Sequence, residues 1–170
     1  LPLFHIINAY LNPFTYNQFI FQFSITVISI LNVYIFSQIL KLKFKISQID
    51  SMLYSSIFLI LPFFRSSAFW GLTENFGWLF LLIAIKFFVK MEKDNFKNHH
   101  KNILFICIFS SLALYTRPYL IFFPIFLSLY FIFSKKLNHL KISSLYYLIF
   151  SVPGFTLLYL WGGSLFMGEG

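Results

Sequence analysis

Few residues in this chain have the chemistry to bind or transform a ligand. The clearest are Arg65, Glu74 and Arg117, with Glu169 near the last residue. Thr116-Arg117-Pro118 interrupts an apolar stretch running from Ile103 to Ser134. Pro118 suits the first turn of a new helix, where its missing N–H costs nothing. Arg117 therefore falls just before a helix N-terminus, where backbone N–H groups and a guanidinium can converge on an anion, phosphate being the natural one. The plainer alternative is an arginine reaching for the membrane interface. Glu74 follows Thr73 after the stretch Pro62-Phe-Phe-Arg65-Ser-Ser-Ala-Phe-Trp70-Gly-Leu. Thr73 can cap a helix, and Glu74 in its first turn complements the helix dipole. Alternatively, an acidic side chain at membrane depth faces a cavity or an ion-pair partner; Arg65 and Arg117 are the two candidates. No Ser/His/Asp arrangement, paired-aspartate motif, phosphate-binding loop or metal-ligand spacing is present in the sequence.

These residues sit in a chain that is 59% hydrophobic and only 11% charged over 170 residues, with mean hydropathy +0.79. Soluble domains carry about 25% charged residues. Eighteen charged side chains cannot clothe a soluble domain of this size, nor is the composition that of a disordered region. The expected fold class is all-α: a polytopic membrane helix bundle of about six transmembrane helices, several of them short. A net charge of +8 would ordinarily suggest nucleic acid, but the charges lie in short clusters between apolar runs, as membrane loops do, and no nucleic-acid partner is expected. The single cysteine, Cys107, lies inside an apolar run and reads as a packing residue.

Six apolar segments can be marked, at roughly 14–40, 50–64, 74–90, 103–115, 118–134 and 143–161. The first and last meet the roughly 20 residues a full span needs, and the four between are shorter. If each crosses, all eleven lysines fall on one face, in clusters at 41–45, 86–101 and 135–141. The positive-inside rule makes that face cytoplasmic. The only arginines, together with Glu74, Glu169, His5, Trp70 and Trp161, fall on the opposite face. With Leu1 first and a Gly-rich end, residues 1–170 are expected to be one membrane domain, an internal piece of a longer protein.

The order of these features resembles the C-type integral-membrane glycosyltransferases, the protein-O-mannosyltransferase/aminoarabinose-transferase-like group above all. The likeness covers nearly the whole chain. It rests on Leu1-Pro2-Leu3-Phe4-His5, on Pro62 through Thr73-Glu74, on the Lys-rich loop, on Leu112-Ala113-Leu114-Tyr115-Thr116-Arg117-Pro118, and on Trp161-Gly162-Gly163. Gly168-Glu169 sits where dolichyl-phosphate-glucose-dependent glucosyltransferases carry a glycine and an acidic residue. The resemblance implies transfer of a sugar from a polyprenyl-phosphate-linked donor to an acceptor on the extracytoplasmic side. It implies a multi-pass protein, of a bacterial inner membrane given the Phe/Ile/Lys/Asn-rich usage. Arg117 is then the contact for the donor phosphate, and Glu74, Arg65 and Glu169 line the cavity or bind sugar hydroxyls. The family's catalytic acid lies upstream of Leu1, so no residue here is assigned that role. Members work with or without a divalent metal, and this sequence favours neither. A transporter or channel piece, an O-antigen polymerase or ligase-like protein, and a membrane scaffold are the alternatives.

Overall fold

The computed structural model describes residues 2–13, 16–70, 73–96 and 99–160. Among these every regular element is helical. A short α1 (Pro2–Ile6) runs on into a π-helical turn, Ile7–Leu11. The long α2 (Gln18–Phe44) follows. Asn17 caps its start, its side chain accepting from the N–H groups of Phe19 and Ile20. Lys41 and Lys43 occupy its last turn, where cations complement the dipole, and Lys45 closes it in the left-handed conformation (φ 56°).

The expected second segment, 50–64, is not one helix. It is three: α3 (Gln48–Ser55), α4 (Ile57–Ile60) and α5 (Pro62–Trp70). The break at Leu61 has a local cause. The residue before a proline is driven out of the helical region, and Leu61 is extended (ψ 120°). Pro62 therefore both stops α4 at Ile60 and opens α5. Beyond it come α6 (Glu74–Lys93), α7 (His99–Thr116), a 3-10 turn (Pro118–Ile121), α8 (Phe122–Phe133) and α9 (Leu137–Leu160). These match the other expected segments to within a few residues, except that the first turn of the 118–134 segment is 3-10.

The elements run back and forth as a bundle. Lys41 Nζ donates to Gln48 Oε1 at 3.0 Å where α2 meets α3, and the Phe36 and Phe58 rings meet farther along. The three short helices thus retrace α2. At the Lys-rich end, Lys43 pairs with Glu92 at 2.5 Å, and the Lys136 ammonium lies over the Phe96 ring. These contacts gather the three lysine-bearing turns at one end, as expected from the charge pattern. The core lies between α6, α7 and α8 around Leu81, Met91, Ile103, Ile106, Leu127 and Phe131. A stack of Phe87, Phe105 and Phe109 flanks it.

Outside this core, the surface is unlike that of a water-soluble protein. Large apolar side chains stand exposed along α2 (Phe19, Phe23, Ile30), α8 (Ile125, Leu129, Phe133) and α9 (Leu145, Leu148, Val152), while Ser29, Asn32, Asn75, Ser110 and Ser143 are buried. Among the described residues α2 is the one helix long and apolar enough to cross a membrane. Only 17% of its most apolar window is buried, which distinguishes it from the core helix of a soluble domain.

Candidate functional site

Arg117 ends α7, its N–H donating to Ala113 O at 2.8 Å. Its backbone is extended (φ −144°, ψ 112°), as a residue before proline must be. The side chain then lies down on α6. Gly77 makes that approach close: a Cβ there would stand 3.0 Å from Leu120 Cδ1 and 3.5 Å from Arg117 Cγ. The guanidinium reaches Glu74, one turn earlier on α6, and Arg117 Nη2 donates to Glu74 Oε1. The two side chains keep 32% and 24% of their exposure, so the pair is half-buried and still open on one side. The second carboxylate oxygen of Glu74 accepts a long bond from Ser67 on α5, at 3.4 Å. Arg117 Nε is buried with no partner among the described residues.

Of the two arginines weighed as partner for Glu74, the structure selects Arg117. Arg65 lies on the exposed face of α5, with no ion-pair partner among the described residues. The expected side-chain cap by Thr73 is not made; its hydroxyl is buried without a partner among the described residues. Thr73 itself is in the helical region (φ −71°, ψ −17°), whereas a capping side chain usually needs extended backbone. Glu169, Trp161, Gly162, Gly163 and Gly168 lie outside the described residues.

Three features beside the pair escaped sequence reasoning. First, Asn75 is fully buried next to Glu74. Its Nδ2 donates to Ser29 Oγ at 2.6 Å and to Phe64 O at 3.5 Å, and Asn32 Nδ2 on α2 donates to Asn75 O at 2.8 Å. Two asparagines inside apolar helices were the available signal, since a polar group at membrane depth must find partners. Second is Gly77. Third is Tyr115, two residues before Arg117. Its hydroxyl donates to Phe150 O and accepts from Gly154 N–H at 3.1 Å. Those two α9 groups are four apart, the spacing of an ordinary helical bond, so the phenol stands inside the α9 ladder. Pro153 beside them has no N–H to give. Gly154 makes room: a Cβ would lie 2.6 Å from Tyr115 Cε1. The joint fastens the end of α7, and hence the chain leading into Arg117, to α9. Tyr115 and Phe150 also line two apolar cavities of about 530 and 420 Å³, which are bordered between them by α7, α8, α9 and α1.

Comparison with protein-family models, with curated proteins and with solved structures gives no match for this chain.

Proposed function

We propose that the chain is a multi-pass membrane bundle in which the broken α3–α5 stretch and the five longer legs each cross. We further propose that it belongs to a membrane glycosyltransferase that takes a sugar from a polyprenyl-phosphate carrier on the side opposite the lysines. The membrane reading is supported by the extent of exposed apolar surface and by the small polar side chains buried between helices. A water-soluble surface rarely leaves apolar patches of this extent uncovered, whereas small polar residues between helices are what membrane bundles use for close packing and hydrogen bonding. α6, with 20 residues, is about 30 Å long, enough for the hydrocarbon layer.

One observation carries the transferase reading: a guanidinium set by a carboxylate at a helix break on the end opposite the lysine turns. Arginine presents five N–H donors in a rigid fork. Glu74 takes one Nη2 donor, and the side of the arginine that stays exposed keeps capacity for a second oxyanion, which suits a phosphate that must be positioned and then released. The apolar cavity beside Tyr115 suits a hydrocarbon chain in composition. Glu74 is engaged by Arg117 and Ser67, so its part is to orient the guanidinium.

The test is sugar transfer by membranes containing the full-length protein, supplied with a polyprenyl-phosphate-linked hexose. The reading predicts transfer from that donor and a weakened donor interaction in Arg117→Ala. Unchanged donor affinity and turnover in Arg117→Ala would remove the phosphate role, and absence of any transfer by the unaltered protein would remove the transferase reading.

A further inference from the structure

The two arginines differ in what neutralises them. Both lie away from the lysine turns, on the side where the positive-inside rule leaves basic residues scarce. Arg117 is matched by Glu74. Arg65 is matched by no carboxylate among the described residues. It lines an open groove of about 590 Å³ between α5 and α2, with Thr26, Pro62, Ser66, Phe69 and Trp70. Arg65, Ser66, Phe69 and Trp70 follow one another at i, i+1, i+4 and i+5 and so share a helix face. Phe69 and Trp70 meet edge to face at 5.2 Å, and each keeps 63% of its exposure. An unneutralised guanidinium, the Ser66 hydroxyl and an aromatic pair on α5, facing Thr26 on α2, match a phosphate head attached to an apolar body. Arginine suits such a group better than lysine, because its fork takes two phosphate oxygens at once. Tryptophan favours the depth at which headgroups lie.

We propose that this groove holds the phosphate of an anionic phospholipid of the surrounding bilayer, with Arg65 as its ligand and Trp70 and Phe69 against the glycerol and upper chain. The proposal rests on the membrane reading and not on the transferase reading: the lipid is a resident of the membrane, bound on the outer side of α5, away from the Arg117–Glu74 pair.

The experiment uses the full chain in neutral detergent, with bound lipid counted by native mass spectrometry. The probes are dioleoyl-phosphatidylglycerol, a galactosyl diacylglycerol that lacks phosphate, and inorganic phosphate as competitor. The expected result is retention of phosphatidylglycerol over the phosphate-free lipid, reduced roughly tenfold by Arg65→Gln, as loss of one charge-assisted bond implies. Lys141→Gln, an exposed cation at the lysine end, should leave it in place. Equal retention of both lipids, an unchanged level in Arg65→Gln, or an equal loss in Lys141→Gln would overturn the site. Displacement by millimolar inorganic phosphate would also overturn it, as a simple anion site. A chain that stays soluble without detergent would instead overturn the membrane reading itself.

Discussion

Arg117, at the break between α7 and the following 3-10 turn, pairs with Glu74 in the first turn of α6, forty-three residues earlier. The pair ties two helix ends at the bundle end opposite the lysines. Glu74→Gln leaves a half-buried guanidinium without its anion, and Arg117→Gln leaves the carboxylate. Each should lower stability by about 1–3 kcal/mol, below the cost of breaking a fully buried pair because both side chains keep some exposure. Thermal unfolding in detergent checks this. Exchanging the two residues, Glu74→Arg with Arg117→Glu, should recover part of the loss.

Gly77 tests whether close approach to α6 is what brings Arg117 to Glu74. Gly77→Ala should change stability little: helix propensity gains about 0.5–1 kcal/mol, offset by the shift of a few tenths of an ångström that the new methyl imposes on the buried Leu120 side chain. Gly77→Leu should lift the 3-10 turn from α6 and cost as much as losing the pair. A double-mutant cycle of Gly77→Leu with Glu74→Gln should then be strongly non-additive.

The asparagine bridge between α2 and α6 predicts a separate loss. Asn75→Leu removes the bonds to Ser29 and Phe64 O and should cost about 1–2 kcal/mol, the upper range for polar contacts in membrane bundles. Asn75→Asp would add a charge to the same buried space and should cost more. Unfolding in detergent by a denaturing surfactant distinguishes the two.

Tyr115→Phe removes the hydroxyl from the α9 ladder and leaves Phe150 O and Gly154 N–H to face one another across the ring. Faster hydrogen exchange is expected at Gly154, with far smaller changes at the lysine end of α9. Exchange unchanged at Gly154 would show that the phenol does not hold the joint.

Much of the helical layout was legible because it rests on one-dimensional signals. Apolar runs end where Lys41, Lys90 and Lys135 begin, and Pro118 marks a new start. The lysine clusters gather at one end because each lies at a turn of an alternating bundle, as Lys43–Glu92 and Lys136 over Phe96 illustrate. Of the two breaks that divide 50–64, Pro62 carries the signal for the one at Leu61; the one at Ser56 has no proline or glycine beside it to mark it. The choice between Arg65 and Arg117 was not legible, because it turns on Gly77 allowing a close approach from a distant segment. The Tyr115 joint was equally hidden, since Tyr115, Pro153 and Gly154 acquire their relation only when α7 and α9 pack.

The central claim is that the lysine turns and the Arg117–Glu74 pair lie on opposite faces of a membrane. The most direct measurement is labelling of single cysteines, in a Cys107→Ser background, by a membrane-impermeant maleimide applied to intact cells and to inverted vesicles. Cysteines at Asn95 and Lys136 should react only in inverted vesicles, and cysteines at Phe69 and Tyr119 only in intact cells. Labelling of all four from the same side, or from both sides, would contradict the account.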